Sequence, residues 1–206
     1  MSSRGERAVT FASEGLSIDG RLRAGEGKLA AVVLHPHPQY GGDMDSHVVM
    51  TLFDVLADEG ATTLRFNFRG TGASEGDFDA GRGGAADAQA AVAYVRERSR
   101  DASLVLAGYS YGAVIAAAVA GDIGARALVL ASPPAAAADL QLPDGIPTLV
   151  VTGDRDAFAP AAALSRLEAP GREVMVLEGV DHFWFPGADR LAEAVRTFLK
   201  KLRTDQ

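Results

Sequence analysis

Short apolar runs and longer amphipathic segments follow one another along the whole chain. Leu29–Leu34 is a continuous apolar run, as expected for a strand that is buried on both faces of a sheet. Between Ser46 and Glu59 the apolar residues recur at helical spacing, and Gly60 then favours the end of a helix. This succession predicts an α/β protein with a mainly parallel sheet that has helices on both faces.

The same patterns predict the other elements. The predicted strands are Glu6–Ser13, Leu16–Ala24, Leu29–Leu34, Ala61–Phe68, Leu104–Ala107, Ala127–Ala131, Thr148–Thr152 and Glu173–Leu177. The predicted helices are Ser46–Glu59, Ala85–Arg98, the alanine-rich Ala113–Ala120, Pro160–Leu167 and Asp189–Leu202. In a sheet of this kind, functional side chains gather beyond the carboxyl ends of the strands.

Length, charge and cysteine content narrow the class of protein. The 206 residues, 48% of them hydrophobic, suffice for one well-buried domain over residues 1–206 and are few for two. A net charge of −7 argues against a nucleic-acid partner, and no apolar run reaches the roughly 20 residues that cross a bilayer. The absence of cysteine excludes thiolate catalysis and thiolate metal sites. Because the amino-terminal residues lack the apolar core of a secretory signal, we expect a cytoplasmic protein without a membrane partner; its oligomeric state is left open.

A serine between two glycines follows the apolar run Ser103–Ala107. The segment Gly108–Gly112 has the pattern G-x-S-x-G, and the predicted helix Ala113–Ala120 comes directly after it. Between a strand and a helix, this pattern predicts a tight turn that presents the serine hydroxyl at the mouth of the sheet. The helix N-terminus favours developing negative charge beside that hydroxyl. We therefore predict that Ser110 is a nucleophile.

A serine nucleophile needs a base, and the base needs a carboxylate that orients it. Of the four histidines, only His182 lies beyond Ser110, and it follows the last predicted strand. The segment Gly153–Pro160 follows the preceding strand and offers two carboxylates, Asp154 and Asp156. Either could orient the imidazole, and the chain order Ser, Asp, His is the one expected on a sheet of this kind.

Taken together, these segments resemble the α/β-hydrolase family over essentially the whole chain. Asn67–Ser74 is similar to the glycine-rich loop of that family, and Gly179–Phe183 is similar to its histidine loop. Gly153–Pro160 is similar to its acid turn, G-x-x-D-x-x-V-P, with Ala159 in place of the usual valine. The resemblance implies an α/β-hydrolase fold, and the spacing of the family's acid turn selects Asp156 as the acid.

The segment Leu34–Met44 carries a more particular resemblance. It is similar to a bacterial subgroup of small hydrolases that are related to dienelactone hydrolases. True dienelactone hydrolases use a cysteine nucleophile, whereas this chain has Ser110 and no cysteine. The resemblance therefore implies a serine hydrolase rather than that activity.

Catalysis by such a serine also needs N–H donors for the oxyanion. The residue after the nucleophile supplies one, here the backbone N–H of Tyr111. The second is expected from His35–Gly41, the loop after the third strand, in which the two prolines have no N–H to donate. His37 and Tyr40 remain as candidates, and similarity to the family's His-Gly-x pattern favours His37.

The same loop has a second interpretation as a metal site. This stretch offers nitrogen and oxygen ligands suited to zinc. The nitrogen ligands would come from His35, His37 and His47, and the oxygen ligands from Asp43 and Asp45. The resemblance accounts for these residues as a rigid oxyanion loop instead. We therefore predict no metal and no cofactor.

Aromatic residues near the strand ends are candidates for the walls of a substrate pocket. The candidates are Tyr40, Met44, Phe158, Phe183, Trp184 and Phe185. Tyr40, Phe158 and Trp184 are selected from them, and each could equally belong to the core. Only Ser132–Pro147 connects the sixth and seventh strands, which is too little chain for a folded lid. An open site without a lid is therefore expected.

These features predict a carboxylesterase that cleaves small to medium acyl esters through a Ser110–His182–Asp156 triad and an acyl-enzyme. A thioesterase, an amidase or peptidase, and a cofactor-free perhydrolase could use the same triad. A protein of another class, which binds a ligand on this fold without catalysis, is the remaining alternative.

Overall fold

The computed structural model describes residues 5–79, 81–134 and 140–204 as one sheet with flanking helices. The strands are β1 (Glu6–Ser13), β2 (Leu16–Arg23), β3 (Leu29–Leu34), β4 (Thr62–Phe66), β5 (Ser103–Tyr109), β6 (Ala127–Ala131), β7 (Thr148–Gly153) and β8 (Arg172–Leu177). The α-helices in these residues are α1 (His47–Asp58), α2 (Arg82–Arg96), α3 (Tyr111–Ala120), α4 (Ala161–Leu164) and α5 (Ala188–Thr204).

The sheet has eight strands in the order β1-β2-β4-β3-β5-β6-β7-β8. β1 and β2 pair antiparallel, β2 pairs antiparallel with β4, and the remaining pairs are parallel. The predicted mainly parallel sheet is thus confirmed. Since β3 to β8 run in one direction, the chain leaves each of these strands at the same edge of the sheet.

Each face of the sheet has its own hydrophobic core. On one face the sheet packs against α2, α3 and α4, and on the other against α1 and α5. In β3, Ala30 and Val32 face the first core while Ala31 and Val33 face the second. This two-sided burial is the reason that the strand is apolar at every position.

Most element boundaries lie within a few residues of the predicted ones. β4 ends at Phe66 rather than Phe68, because the backbone N–H of Phe68 donates to a ring nitrogen of His35 instead of continuing the sheet. α2 begins at Arg82 rather than Ala85, since the Asp79 carboxylate accepts the N–H of a residue in its first turn. The predicted helix 160–167 is one α-helical turn followed by a 3-10 turn.

A buried ion pair holds the glycine-rich loop after β4. The guanidinium of Arg69 donates to both carboxylate oxygens of Asp87, with the shortest distance at 2.8 Å, and Asp87 also accepts the backbone N–H of Arg69. Gly83 leaves room for this pair, because a Cβ at that position would lie 2.2 Å from the Arg69 guanidinium and would displace it. The pair fixes the course of the loop that continues to Phe78 beside the candidate site.

Candidate active site

The turn between β5 and α3 has the strained backbone of a nucleophile elbow. Ser110 has φ 53° and ψ −117°, in a region that residues with a Cβ rarely adopt. A Cβ on Gly108 would lie 2.4 Å from the carbonyl oxygen of Gly112, and one on Gly112 would lie 2.3 Å from that of Leu34. Both glycines are therefore required by close backbone approach, and the packed turn maintains the strain at Ser110.

Three side chains from separate loops form a continuous hydrogen-bond chain at this edge of the sheet. The Oγ of Ser110 lies 3.1 Å from Nε2 of His182, and Nδ1 of His182 lies 3.0 Å from each carboxylate oxygen of Asp156. The Asp156 side chain is fully buried and that of His182 is 12% exposed. With Nδ1–H donated to the carboxylate, Nε2 is left with a lone pair for the serine proton.

The carboxylate of Asp156 is kept ionised by its hydrogen bonds. Burial by itself raises its pKa, but hydrogen bonds from His182, Ser132 and the backbone N–H of Ala159 outweigh burial and lower the pKa below its ordinary value. The N–H groups of Phe158 and Ala159 lie 3.0 and 2.9 Å from Oδ1. A buried negative charge therefore faces the imidazole at neutral pH.

Two other carboxylates near the histidine loop, Asp154 and Asp181, have different partners. Asp154 accepts the backbone N–H of Gly179 at 2.7 Å, and Asp181 accepts that of Phe183 at 3.0 Å. Both carboxylates thus hold turns of the backbone. Asp156 is the one of the three that meets the imidazole ring.

His35, at the end of β3, has a structural role. Its Nδ1 lies 2.6 Å from the carbonyl oxygen of Pro36 and its Nε2 accepts the N–H of Phe68, while burial lowers its pKa to about 4. Asp45 pairs with Arg65. Neither residue is free for the zinc site considered above, and within residues 5–79, 81–134 and 140–204 no group of three or more His, Asp or Glu could hold a metal ion.

The hydrogen bonds of the loop after β3 distinguish the two predicted oxyanion donors, His37 and Tyr40. Tyr40 donates its N–H to the carbonyl oxygen of His37 at 3.1 Å, and the N–H groups of Gln39, Gly41 and Gly42 also have acceptors within the loop. Of the two predicted candidates, His37 is then the one whose N–H has no acceptor among the described residues. Its ring lies 5.2 Å from the ring of Tyr111, so the loop packs against the residue that follows Ser110.

The three predicted pocket residues have different environments. Tyr40 is 87% exposed and Phe158 is 56% exposed, and the Phe158 ring lies 4.8 Å from that of His182. Trp184 is only 1% exposed, packs in the core beneath α5, and donates its indole N–H to Oγ of Ser132 at 3.0 Å. Such burial does not fit the predicted pocket wall, because a wall needs surface that a ligand can reach.

Sequence reasoning missed two residues that line or support the site, Phe78 and Ser132. Phe78 packs its ring 4.8 Å from that of His37. Phe183 and Phe185, which the sequence offers as further candidates for the pocket, are 59% and 71% exposed beside His182 and His47. Phe78 lies in an irregular loop without periodicity, so the sequence offers no signal for it. Ser132 could have been found, because it directly follows β6 at the edge where functional groups gather.

No helix of the described residues is sufficiently long and apolar to span a membrane.

Comparison with known proteins gives a family match and a curated relative. The α/β-hydrolase fold family matches residues 32–145. An uncharacterised protein of Rickettsia prowazekii is 32% identical over 190 residues, which cover 85% of this chain and 80% of that protein.

Solved structures are similar over nearly the full chain. A protein of unknown function from Agrobacterium tumefaciens is 29% identical with a TM-score of 0.90, and the match covers 97% of this chain and 98% of that one. An α/β serine hydrolase without a lid from Xanthomonas campestris is 27% identical with a TM-score of 0.87, and the match covers 98% and 96% of the two chains. The relation to dienelactone hydrolases stays a prediction.

Proposed function

The chain belongs to the α/β-hydrolase fold family, and from that premise we propose that it is a serine carboxylesterase for small to medium acyl esters. The observation that carries the proposal is the hydrogen-bond chain from Ser110 through His182 to the buried Asp156. The similar Xanthomonas campestris protein is described as a serine hydrolase, which supports the same class of reaction.

In the proposed mechanism, Ser110 attacks the acyl carbonyl carbon. His182 accepts the serine proton at Nε2 and returns it to the leaving alcohol, so that an acyl-enzyme forms and the ester C–O bond breaks. Water then attacks the acyl-enzyme with His182 again as the base, which releases the acid and restores Ser110. Asp156 orients the ring and stabilises the imidazolium.

The negative charge on the carbonyl oxygen is stabilised by backbone N–H groups. We assign this role to Tyr111, at the N-terminus of α3, and to His37, whose N–H, unlike that of Tyr40, has no acceptor among the described residues. Such donors are commonly worth about 3 kcal/mol each in the transition state. The N-terminal end of α3 adds a favourable dipole.

The substrate class follows from the surface around Ser110. Phe158 presents exposed aromatic surface beside His182, and Tyr40 presents it beside His37. Such surface suits the apolar acyl or alcohol part of an ester. Residues 140–147, which lead into β7, contain no helix or strand that could cover the site. An open site favours small and medium esters over long acyl chains.

Initial rates on p-nitrophenyl esters from acetate to palmitate test the proposal. We expect activity to peak at short chains and to fall at least 10³-fold in Ser110→Ala, which removes the nucleophile. Ser165→Ala, in the exposed turn after α4, serves as the matched control and should retain wild-type rates.

A fluorophosphonate probe tests activation of the serine independently of the ester. It should label the wild type and fail to label Ser110→Ala. Labelling without ester turnover would favour a thioesterase, amidase or peptidase with the same triad. If the wild type shows neither labelling nor ester turnover, a binding protein on this fold is favoured.

A further inference from the structure

Tyr109, the residue before the nucleophile, lies at a firmly held point of the sheet. It is the last residue of β5 and directly precedes Ser110. It pairs with Ala131 of β6, whose carbonyl oxygen accepts the backbone N–H of Ser110 at 2.9 Å. Because β5 lies between β3 and β6 in the middle of the sheet, hydrogen bonds on both sides hold its backbone. The side chain of Tyr109 therefore starts from the same fixed point as the nucleophile turn.

This side chain extends to the segment that carries the base. Tyr109 is 6% exposed and belongs to the core that packs against α1 and α5. Its hydroxyl donates to the backbone carbonyl oxygen of His182 at 2.8 Å, which is an ordinary length for an O–H···O hydrogen bond. Burial raises the pKa of the Tyr109 hydroxyl above its ordinary value, so the phenol keeps its proton and remains a donor at neutral pH.

The segment of residues 178–187, between β8 and α5, has no helix or strand of its own. It is therefore held by contacts with its surroundings. The carbonyl oxygen of Val180 accepts a backbone N–H of the acid turn at 3.0 Å, and the indole N–H of Trp184 donates to a serine hydroxyl after β6, also at 3.0 Å. Between these two anchors, the hydroxyl of Tyr109 holds the backbone of His182 itself.

The place of the imidazole depends on how the ring is turned and on where the backbone carries it. The carboxylate of Asp156, 3.0 Å from Nδ1 of His182, sets the orientation of the ring. The hydroxyl of Tyr109 sets the distance of the His182 backbone from the strand that ends before Ser110. Nε2 then lies 3.1 Å from Oγ of Ser110, near the long end of the hydrogen-bond range. A small outward shift of the backbone would thus weaken proton transfer.

We propose that Tyr109 is a positioning residue for the general base: its hydroxyl fixes the backbone of His182 so that Nε2 stays within reach of the Ser110 hydroxyl. This inference rests on the proposed function, because it assigns Tyr109 a role in the same reaction. Tyr109 acts through His182, since its hydroxyl donates to a backbone carbonyl rather than to a reacting group.

The test is Tyr109→Phe, which keeps the buried ring and removes the hydroxyl. We expect kcat for p-nitrophenyl butyrate to fall about fivefold, as the loss of one neutral hydrogen bond allows. KM should stay within about twofold, because Tyr109 is buried away from the surface that meets the substrate. The rate constant for fluorophosphonate labelling of Ser110 should fall by the same factor as kcat, since labelling also depends on proton transfer to His182.

Thr148→Val is the matched control. Thr148 is fully buried, and its hydroxyl donates to the backbone carbonyl oxygen of Ile146 at 2.9 Å, at the end of β7 opposite the candidate site. The variant removes the same kind of hydrogen bond away from the triad, so it measures the general cost of such a loss. Its rates should stay within about twofold of the wild type. An equal loss in Thr148→Val and Tyr109→Phe would overturn the inference, because the effect would then come from stability rather than from position.

NMR relaxation dispersion of ¹³C-labelled histidine rings gives a readout that needs no turnover. In Tyr109→Phe we expect added exchange on the microsecond to millisecond timescale at the ring of His182. We expect none at His35, whose ring has its own two hydrogen bonds, and none at either ring in Thr148→Val. The same spectra show that the variants are folded.

Wild-type relaxation of the His182 ring in folded Tyr109→Phe would overturn the inference, and so would wild-type rates of labelling and turnover in that variant. Failure of the proposed function is separate. It would appear in the wild type itself, as labelling without ester turnover or as the absence of both. In either case the relaxation of the His182 ring still tests the positioning role of Tyr109.

Discussion

Replacement of Asp156 by asparagine is the sharpest test of the triad geometry, because it replaces one acceptor oxygen by an NH₂ donor without changing the shape of the side chain. In the wild type, Oδ1 accepts two backbone N–H groups, and both oxygens lie 3.0 Å from Nδ1 of His182. In Asp156→Asn the amide oxygen retains the backbone donors, so the NH₂ group faces the imidazole. A donor at that place requires an acceptor, and Nδ1 of His182 then loses its proton to Nε2.

The expected loss of activity is large, because an imidazole with its proton on Nε2 cannot accept the proton of Ser110. A change of this kind costs about 10⁴-fold in kcat, which corresponds to about 5 kcal/mol of transition-state stabilisation. The change in KM should be small, since the apolar surface that meets the substrate is untouched.

The assay is the hydrolysis of p-nitrophenyl butyrate between pH 5 and 10, with fluorophosphonate labelling at each pH. Asp154→Asn is the matched control: its carboxylate accepts only the N–H of Gly179 in the contacts described here, and an amide oxygen can replace that acceptor. It should stay within about twofold of the wild type. Retention of a tenth or more of the activity in Asp156→Asn, or an equal loss in Asp154→Asn, would refute the assignment.

Three further predictions concern stability and substrate binding. The pKa of His35 is about 4 in the folded state and 6.5 in the unfolded chain, so the unfolded chain binds more protons between these pH values. About 3 kcal/mol of the free energy of unfolding is therefore lost as the pH falls from 6.5 to 4. Urea unfolding should show this loss, and it should be much smaller in His35→Gln. Gly112→Ala should lower the melting temperature by about 6 to 12 °C, because its Cβ would lie 2.3 Å from a carbonyl oxygen. Gly121→Ala, whose Cβ would have its nearest contact at 3.8 Å, should not lower it. Similar melting curves for the two variants would contradict the packing argument. Phe158→Ala should raise KM for the butyrate ester about fivefold at nearly constant kcat, since it removes about 1 kcal/mol of apolar contact with the substrate. Val176→Ala, at an exposed position of β8, is the control. An equal KM in both variants would exclude Phe158 from the site.

Much of this architecture was predictable, because the spacing of apolar residues in a strand or helix reflects which of its faces are buried. The eight strands all lie where the periodicity predicts them, and the run Leu29–Leu34 is apolar throughout since both of its faces are covered. The turn at Ser110 was predictable for a similar reason: two glycines at fixed spacing are needed wherever backbones approach so closely.

Contacts between distant segments could not be predicted in this way. Asp154 and Asp156 are equivalent as residue types, and it was the family resemblance that favoured Asp156. The approach of the loop after β8 shows that Asp156 is the one that meets the imidazole. The environment of Trp184 was predicted wrongly for the same reason, since an aromatic residue suits a pocket wall and a core equally well by composition.

The sequence by itself determined the class of fold, the nucleophile turn and the order of the candidate triad, because each depends on local spacing and on backbone sterics. Residue types and spacing left two points open that only the tertiary structure decided. Asp156 rather than Asp154 meets the ring of His182, and the N–H of Tyr40 is already donated within its loop. Hydrogen bonds of this kind depend on the direction of side chains from strands far apart in the chain, and sequence spacing carries no information about that direction.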